Sequence, residues 1–385
     1  MSPTNFDVFI DRRDTASQKW ERYRDTEILP MWVADTDFMA PPGVIDALHK
    51  RVDHGVFGYT NTPSELNDIV IKRMAELYQW NIQRDWLVWL PGLVCGLNLA
   101  CRSVGEEGDR VVSPQPIYPP FVSAPHLSKR QVTQVPMTTQ TDGHTLLDLD
   151  KLEAAITPDT RLLLFCNPHN PGGTVYREEE LQALADIIEK HDLVVCSDEI
   201  HCDLILEPGL RHIPLASLND TISQRTITLM APSKTYNIAG LGCSFAIIPN
   251  DQLRKQFINV RKGIVPDVNL FGYTAAIAAY EAGDEWNQKQ LDYLRGNRDY
   301  LVEEINRIPG LKLDPIEATY LAWIDVSAAK LENPSRFFEQ AGVGMSPGRD
   351  FGNANFMRLN FGCPRPLLEE AVKRIRSALI NHLPA

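Results

Sequence analysis

The stretch Thr226-Ile-Thr-Leu-Met-Ala-Pro-Ser-Lys-Thr-Tyr-Asn-Ile-Ala-Gly-Leu-Gly242 joins an apolar run to a lysine in a turn of small residues. The run from Ile227 to Met230 predicts a buried strand, which Ala231-Pro232 ends. Lys234 therefore lies at the mouth of a strand. Because its neighbours are small and apolar, poor solvation should lower its pKa and leave an amine that forms Schiff bases with carbonyl compounds. Taken alone, the pattern also suits a surface lysine.

The same pattern, an apolar run followed by turn residues and then a helical segment, recurs along the chain. The runs are Leu87-Val-Trp-Leu90, Arg110-Val-Val112, Leu162-Leu-Leu-Phe165, Leu193-Val-Val195 and Ile227 to Met230. Continuous apolar strands that alternate with helices predict an α/β fold with a mostly parallel central sheet sandwiched by helices. Ligands of such sheets bind beyond the carboxyl ends of the strands, so the polar residues there are candidates for one site.

Composition divides the chain into three predicted parts. Residues 1–42 are rich in Trp, Pro and charge without a clean period, and we expect an N-terminal arm and part of a small domain. Residues 43–282 carry the strand and helix pattern and are expected to form the large domain. Residues 283–385 have longer charged helices around short β-like segments, which predicts a smaller C-terminal α+β domain.

Two N-terminal segments place distinctive residues. Met31-Trp-Val-Ala-Asp-Thr-Asp-Phe38 mixes aromatic with acidic residues, and it suits either an arm held by its aromatic side chains or the wall of a pocket. Phe57-Gly-Tyr-Thr60 precedes Thr62-Pro63-Ser64-Glu65, a pattern typical of a helix start with Thr62 as N-cap and a capping-box glutamate. The predicted helix fixes Tyr59 just ahead of its start.

Composition also limits the partners and the compartment. The formal net charge is -12 without a basic block, which argues against nucleic acid or an anionic membrane surface as the main partner. No uncharged apolar run is long enough to span a bilayer, and the first residues lack the apolar core of a signal peptide. The seven cysteines have no Cys-x-x-Cys spacing and predict free thiols in a reducing compartment, which we take to be the cytoplasm.

Residues that follow the predicted strands supply the groups that pyridoxal phosphate needs. Pro91-Gly-Leu-Val-Cys-Gly-Leu97, a glycine turn that opens a helix, offers N–H groups to a phosphate. Tyr118 offers a flat face for a ring, and Asn170 can donate to a phenolate oxygen. Asp198 ends an apolar strand, where a carboxylate needs a cationic partner such as a pyridinium N–H. Each feature alone also fits turn formation or capping, but their joint order ahead of Lys234 indicates a cofactor site.

Six motifs together resemble the pyridoxal-phosphate enzymes of the aspartate-aminotransferase fold, fold type I. Within them the chain is similar to the cystathionine β-lyase-like C–S lyase subgroup, which includes the maltose-regulon modulator. The motifs run nearly end to end and are Met31-Trp-Val-Ala-Asp, Phe57-Gly-Tyr-Thr60, Asn167-Pro-His-Asn-Pro171, Ser197-Asp-Glu-Ile-His-Cys-Asp203, Pro232-Ser-Lys-Thr-Tyr-Asn-Ile-Ala-Gly-Leu241 and Met357-Arg-Leu-Asn-Phe-Gly-Cys-Pro-Arg365.

The resemblance implies a cofactor role for each matched residue. Lys234 would bind pyridoxal phosphate covalently, Asp198 would keep its ring nitrogen protonated, and Tyr118 would stack on its ring. The other implied cofactor contacts are Asn170 and His201 near the phenolate oxygen, with Ser233 and the N–H groups of Leu93 and Val94 at the phosphate.

The resemblance also implies a substrate contact and an assembly. Arg358 would hold the substrate carboxylate through a bidentate pair. Tyr59 would reach the phosphate of the neighbouring subunit in a homodimer with shared sites. In many relatives an arginine that binds the phosphate stands where this chain has Gly242, and a threonine stands where it has Gly172. Gly242 leaves the phosphate more dependent on neutral donors and the helix, and both departures leave the cofactor assignment intact.

The implied reaction is β-elimination from L-cystathionine or a related cysteine S-conjugate, giving a thiol, pyruvate and ammonia. An aminotransferase shares the early steps, and no single residue separates the two. A regulatory protein that binds a transcription activator is the alternative of another class. A metal site at Asp198, Glu199, His201, Cys202 and Asp203 has suitable ligand types, but no second cluster at ligand spacing accompanies it, and we expect no metal.

Overall fold

The structure, a computed structural model, describes residues 5–382 of the 385-residue chain. The strands are β1 Leu29–Met31, β2 Leu87–Leu90, β3 Arg110–Gln115, β4 Gln131–Thr139, β5 Thr145–Leu147, β6 Thr160–Cys166, β7 Val194–Asp198, β8 Thr226–Met230, β9 Ser244–Ile247, β10 Lys312–Leu313, β11 Leu321–Asp325, β12 Val343–Pro347 and β13 Phe356–Asn360. The helices are α1 Gln18–Glu21, α2 Pro42–Asp53, α3 Ser64–Tyr78, α4 Leu93–Ser103, α5 Pro120–Leu127, α6 Leu149–Ala155, α7 Glu178–Lys190, α8 Asp220–Ser223, α9 Asp251–Arg261, α10 Leu270–Ala282, α11 Asp284–Asn306, α12 Pro334–Gln340 and α13 Arg365–His382.

The larger sheet has eight strands in the order β2-β9-β8-β7-β6-β3-β4-β5. Strands β4, β3, β6, β7 and β8 pair in parallel, whereas β9 is antiparallel to both of its neighbours and β5 is antiparallel to β4. The prediction of an α/β fold with a mostly parallel sheet is confirmed. All five predicted strands belong to this sheet, as β2, β3, β6, β7 and β8.

Alternating residues of the central strands pack on opposite faces of this sheet. On β6, Leu162 and Leu164 belong to one apolar cluster, and Leu163 and Phe165 belong to another. The first cluster includes residues of α4, α5 and α9, and the second includes residues of α7. Helices on both faces explain why these strands are apolar throughout rather than alternating.

The smaller sheet has five strands in the order β1-β12-β13-β11-β10. Strand β1, near the N-terminus, pairs in parallel with β12, so the arm contributes a strand to the C-terminal sheet. Buried Lys19 donates to the Asp37 carboxylate at 2.6 Å and fixes the arm against the segment that follows β1. The three domain boundaries stay predictions, and residues 1–4 and 383–385 at their outer ends lie outside the described residues.

The start of α3 differs from the predicted cap. The helix is present, but its N-cap residue is Pro63, which has no side-chain donor or acceptor. The Thr62 hydroxyl instead lies 2.8 Å from the Tyr273 hydroxyl. The capping prediction was wrong because a partner from α10 takes the hydroxyl that would have capped the helix.

Two predictions from composition can be compared with the structure. The seven cysteines are all free, and all except the half-buried Cys95 are buried, as predicted. Among the helices of residues 5–382, none combines the length and apolar character needed to cross a membrane.

Candidate active site

A cavity of about 920 Å³ opens at the carboxyl ends of β7 and β8, between the two sheets. Nine of the ten residues predicted for the site line it, and they come from both halves of the chain: Leu93, Val94, Tyr118, Asn170, Asp198, His201, Ser233, Lys234 and Arg358. Strands of the larger sheet bring most of these residues together because their carboxyl ends meet at one edge of the sheet, and β13 of the smaller sheet adds Arg358. The tenth residue, Tyr59, is fully exposed and lies outside the cavity.

Lys234 follows β8 and points its amine at a backbone carbonyl. Lys234 Nζ donates to the Ala34 oxygen at 2.7 Å, and the buried Tyr320 hydroxyl donates to the same oxygen at 3.1 Å. Burial lowers the pKa of the Lys234 amine, and Arg358 lowers it further, while the carboxylates of Asp35 and Asp198 oppose this shift. A larger fraction of the amine is therefore neutral and nucleophilic than in a solvated lysine.

Asp198 is the last residue of β7 and is buried. Its Oδ1 accepts a hydrogen bond from the Ile200 N–H at 3.1 Å, and no cationic side chain of residues 5–382 lies within ion-pair distance. Burial raises the pKa of this carboxyl to about 7, with Glu199 adding to the shift and Lys234 opposing it. A cationic ligand group at this position would restore the ordinary ionisation of Asp198.

Arg358, in β13, is buried and partly bonded within the chain. Its Nη1 donates to Asn170 Oδ1 at 3.0 Å, and its Nη2 donates to the Trp32 oxygen at 2.8 Å. Its Nε has no hydrogen-bond partner among the described residues. Burial lowers the pKa of Arg358 to about 10, so the guanidinium stays cationic at neutral pH. An unused donor on a buried cation suits the binding of an anion such as a carboxylate.

Two ring side chains complete the centre of the cavity. His201 is buried, its Nδ1 has no partner among the described residues, and burial lowers its pKa to about 3. The imidazole is therefore neutral at physiological pH. Burial raises the pKa of Tyr118, which keeps its hydroxyl protonated as a donor.

One end of the cavity is built from a helix start and small residues. Leu93 and Val94 are the first residues of α4, whose first-turn N–H groups have no acceptor within the helix. Ser233 also lines the cavity. Gly242 has φ +63°, and a Cβ there would lie 2.8 Å from the Pro91 oxygen. An arginine cannot stand at Gly242 without rearranging this turn, so neutral donors and the helix supply this end.

The segment from Val33 to Phe38 forms a wall of the cavity and is held by side-chain amides. Asn360 donates to the carbonyls of Val33 and Asp35, the latter at 2.6 Å, and Asn237 donates to the carbonyls of Thr36 and Phe38 at 3.0 and 2.7 Å. Both interpretations of this motif therefore hold, since Phe38 is buried and the segment also lines the cavity.

Sequence reasoning missed Tyr320 and the Ala34 carbonyl. Tyr320 was only the first residue of a predicted strand, and nothing in its spacing connects it to Lys234. A backbone carbonyl has no signature in the sequence. The Lys234 amine and the Tyr320 hydroxyl donate to the same Ala34 oxygen because the fold brings the arm and the C-terminal sheet against the larger sheet.

The acidic stretch considered as a metal site spreads its side chains in different directions. Glu199 pairs with His212 at 2.7 Å, and Asp203 Oδ1 accepts from the Tyr78 hydroxyl at 2.5 Å. Within residues 5–382, no three His, Cys, Asp or Glu side chains converge as metal ligands would. Glu199 and Asp203 thus belong to separate hydrogen-bond networks, and His201 lines the cavity instead.

The donors and acceptors of the cavity fit pyridoxal phosphate. Asp198 lacks a cation that a protonated ring nitrogen would supply, and the α4 start lacks an anion that a phosphate would supply. His201 and Arg358 both line this cavity, and their buried Nδ1 and Nε have no hydrogen-bond partner among the described residues. Lys234 offers an amine of lowered pKa to an aldehyde. The unmet charges and hydrogen bonds therefore correspond to those of the cofactor and of an amino-acid carboxylate.

Comparison with known proteins agrees with this fit. The model of the aminotransferase class I and II family matches residues 27–375. Cystathionine beta-lyase PatB of Bacillus subtilis (strain 168) is 36% identical, over 97% of this chain and 100% of its own length. The crystal structure of OvoB aligns with a TM-score of 0.95 at 54% identity, covering 97% of this chain and 99% of OvoB. The PLP-bound C-S lyase from Staphylococcus hominis aligns with a TM-score of 0.92 at 33% identity, covering 98% of each chain.

Proposed function

Since the chain belongs to the aminotransferase class I and II family, we propose that it is a pyridoxal-phosphate-dependent C–S β-lyase. The substrate is L-cystathionine or a related cysteine S-conjugate, and the products are a thiol, pyruvate and ammonia. The observation that carries the proposal is the meeting of Lys234, Asp198 and Arg358 in one cavity. Full-length similarity to a cystathionine beta-lyase and to a PLP-bound C-S lyase supports the choice of reaction.

Different residues of the cavity would carry out different steps of β-elimination. Bound pyridoxal phosphate supplies an electron-accepting ring that weakens the Cα–H bond of an amino acid. Arg358 would hold the substrate carboxylate, and Asp198 would hold a protonated ring nitrogen. Lys234 would hold the cofactor covalently, and its Nζ would accept the Cα proton of the bound substrate. The Cβ–S bond then breaks and the sulfur leaves as a thiolate, which gains a proton.

The other residues fix the cofactor and shield the reaction. Tyr118 would cover the ring, Asn170 and His201 would lie near its phenolate oxygen, and Ser233 would join the start of α4 in holding the phosphate. One water converts the remaining three-carbon unit to pyruvate and ammonia, so atoms balance for cystathionine plus water giving homocysteine, pyruvate and ammonia. The burial of Asp198, His201 and Arg358 limits access of bulk water to the ring.

We further propose that the enzyme is a homodimer and that Tyr59 completes the site of the partner subunit. Tyr59 is fully exposed next to Phe57, another exposed aromatic residue, and neither lines the cavity of its own chain. A second copy of the chain that covers this loop would bury both rings. Seven free cysteines suit a reducing compartment, for which we propose the cytoplasm.

Product analysis separates the lyase from an aminotransferase. The purified holoenzyme is incubated with L-cystathionine without any keto-acid acceptor, and the thiol, pyruvate and ammonia are quantified. We expect the three products in equal amounts over many turnovers. Turnover that requires an added keto acid would instead establish transamination.

The covalent role of Lys234 is tested by borohydride reduction of the holoenzyme followed by peptide mapping. We expect the cofactor on the peptide that contains Lys234, because burial lowers the pKa of its amine. Label on another lysine would remove Lys234 from this role.

A further inference from the structure

A second set of buried polar groups lies behind Asp198, on the side away from the cavity. The side chains of Glu199 and His212 are fully buried, and His212 Nε2 lies 2.7 Å from Glu199 Oε2. The other carboxylate oxygen, Oε1, accepts from Ser197 Oγ at 2.7 Å and from the Leu215 N–H at 3.2 Å. We call Glu199 and these three partners the Glu199 cluster. A buried carboxylate is costly without such partners, yet the reaction described above makes no use of this one.

Strand geometry places the Glu199 cluster directly behind Asp198. Ser197 and Glu199 flank Asp198, and successive side chains of a strand point to opposite faces. Their mutual hydrogen bond shows that they share one face, while Asp198 lines the cavity on the other. The Glu199 N–H also donates to the Leu229 oxygen at 2.9 Å, and the Asn167 N–H donates to the Asp198 oxygen at 3.0 Å. The backbone at Asp198 is therefore held on both sides.

Charged groups from several elements surround Asp198. Lys234, after β8, opposes the upward shift of the Asp198 pKa, whereas Glu199 adds to it. Arg358 on β13 and Asp35 in the arm act on Lys234 in opposite directions. Among the described charged groups that act on Asp198, Glu199 is the anionic one. It lies on the side of the sheet away from the cavity.

We infer that Glu199 is a positioning residue for Asp198, and that its buried negative charge strengthens the binding of a cation by Asp198. The cation is the protonated ring nitrogen of the cofactor, so the inference rests on the proposed function. A nearby negative charge raises the proton affinity of the groups around it. Ser197 contributes a hydrogen bond to Glu199 without a charge, so its contribution is smaller.

His212 acts through Glu199. It donates to the carboxylate, and the Tyr78 ring packs edge-on against its imidazole at a centroid distance of 5.5 Å. Loss of this donor would leave the buried Glu199 Oε2 without its hydrogen-bond partner, so the carboxylate would no longer be held in place behind Asp198. Removing the donor should therefore weaken the same effect on Asp198.

The test measures cofactor binding rather than turnover. Apoproteins of the wild type and Glu199→Gln are titrated with pyridoxal phosphate, and the visible absorbance of each holo form is followed against pH. We expect Glu199→Gln to bind the cofactor about tenfold more weakly. The pH midpoint of the change in visible absorbance should also fall by about one unit in this variant, since one nearby charge is lost. Glu317→Gln is the matched control, because that carboxylate pairs with Arg177 at 3.0 Å and does not act on Asp198.

Two variants of His212 distinguish an effect of the Glu199 carboxylate from an effect of the packing of the His212 side chain. His212→Leu removes the donor and should lower the midpoint as Glu199→Gln does, whereas His212→Gln restores an N–H donor and should return the midpoint to that of the wild type. A wild-type midpoint and affinity in folded Glu199→Gln would overturn the inference. If that variant does not fold, wild-type values in both His212 variants would overturn it. Failure of the wild-type apoprotein to bind pyridoxal phosphate would instead overturn the proposed function.

Discussion

Arg358 uses only some of its guanidinium N–H groups in hydrogen bonds within the chain. Two guanidinium nitrogens bond to Asn170 and to the Trp32 carbonyl, and Nε is left without a partner among the described residues. The side chain also lies over the Phe351 ring, with 4.6 Å between the guanidinium carbon and the ring centroid. Both the planar shape and the free donor suit a bidentate carboxylate contact that an ammonium group cannot reproduce.

Replacement of Arg358 by lysine should therefore impair substrate binding and leave the cofactor in place. We expect kcat/KM of Arg358→Lys to fall about 100-fold, corresponding to about 2.7 kcal/mol of lost transition-state binding, with unchanged cofactor absorbance. Arg254→Lys is the matched control, since Arg254 is also buried and multiply bonded but lies outside the cavity. An unchanged kcat/KM for Arg358→Lys would remove this residue from the substrate contact.

Single residues were predictable where they carry a chemical anomaly in the sequence. Lys234 follows an apolar strand without other charges, and Asp198 ends another, so each needs a partner that sequence neighbours do not supply. Tyr320 and His212 carry no such anomaly. A tyrosine at the start of a strand and a histidine in a loop have ordinary surroundings in the sequence, and their roles depend on contacts across more than ten residues. Local sequence patterns do not predict such long-range contacts.

At the level of elements, most of the largely buried strands of the larger sheet were predicted, and β4, which is mostly exposed or half-buried, was not. Strand β8 is buried at every position, whereas most residues of β4 are exposed or half-buried. Its Thr and Gln residues hide the apolar signal on which the prediction relies. Strand β9 was missed although it is buried, because it follows the Lys234 turn too closely to resemble a new unit of the repeated pattern. Tertiary pairing, rather than local preference, forms these strands.

The turn at Gly242 should not accept an arginine. Gly242→Arg places a side chain at φ +63° with its Cβ against the Pro91 oxygen, so we expect a loss of about 1–3 kcal/mol in the free energy of unfolding. Cofactor affinity should not improve. Gly240→Ala is the control for stability, because nothing lies within 4 Å of a Cβ there and its φ is not in the left-handed region. Tighter cofactor binding in Gly242→Arg without loss of stability would contradict this account.

The loop that carries Asn170 contains a histidine that must stay neutral. His169 Nε2 donates to the Pro116 oxygen at 3.0 Å, and Nδ1 accepts from the Gly172 N–H at 3.2 Å. Burial lowers the pKa of His169 to about 4. The second proton would set Nδ1–H against the Gly172 N–H, so both geometry and burial favour the neutral ring.

The free energy of unfolding should therefore decrease as the pH falls, and His169 should account for part of this decrease. Its folded pKa of about 4 lies below the unfolded value of about 6.5, so the unfolded chain binds the extra proton first. The contribution is fully present above pH 6.5 and is lost as pH falls towards 4, up to about 3 kcal/mol. Denaturant unfolding of the wild type and His169→Gln at several pH values measures it. The difference between the two proteins should narrow as pH falls, and parallel curves would contradict the assignment.

For the molecule as a whole, Tyr59 is exposed on a surface loop. It lies between α2 and α3 in a loop whose side chains Val56, Phe57 and Tyr59 are all exposed. Phe57 contacts Phe271 at a centroid distance of 5.6 Å, which ties the loop to the start of α10. The cavity of the same chain is lined by other residues. An exposed aromatic group on an anchored loop is suited to enter the site of a second copy.

Mixed dimers decide between a shared site and a site within one chain. Tyr59→Phe and Lys234→Ala chains, each nearly inactive alone, are unfolded and refolded together. In a shared-site dimer, one site receives the intact Lys234 of the first chain and the intact Tyr59 of the second, while the other site lacks both. Random pairing makes about half of the dimers mixed, each with one intact site, so roughly a quarter of wild-type activity should return. If Tyr59 serves its own chain, every site lacks one group, and confirmed mixed dimers would show no more activity than the separate variants.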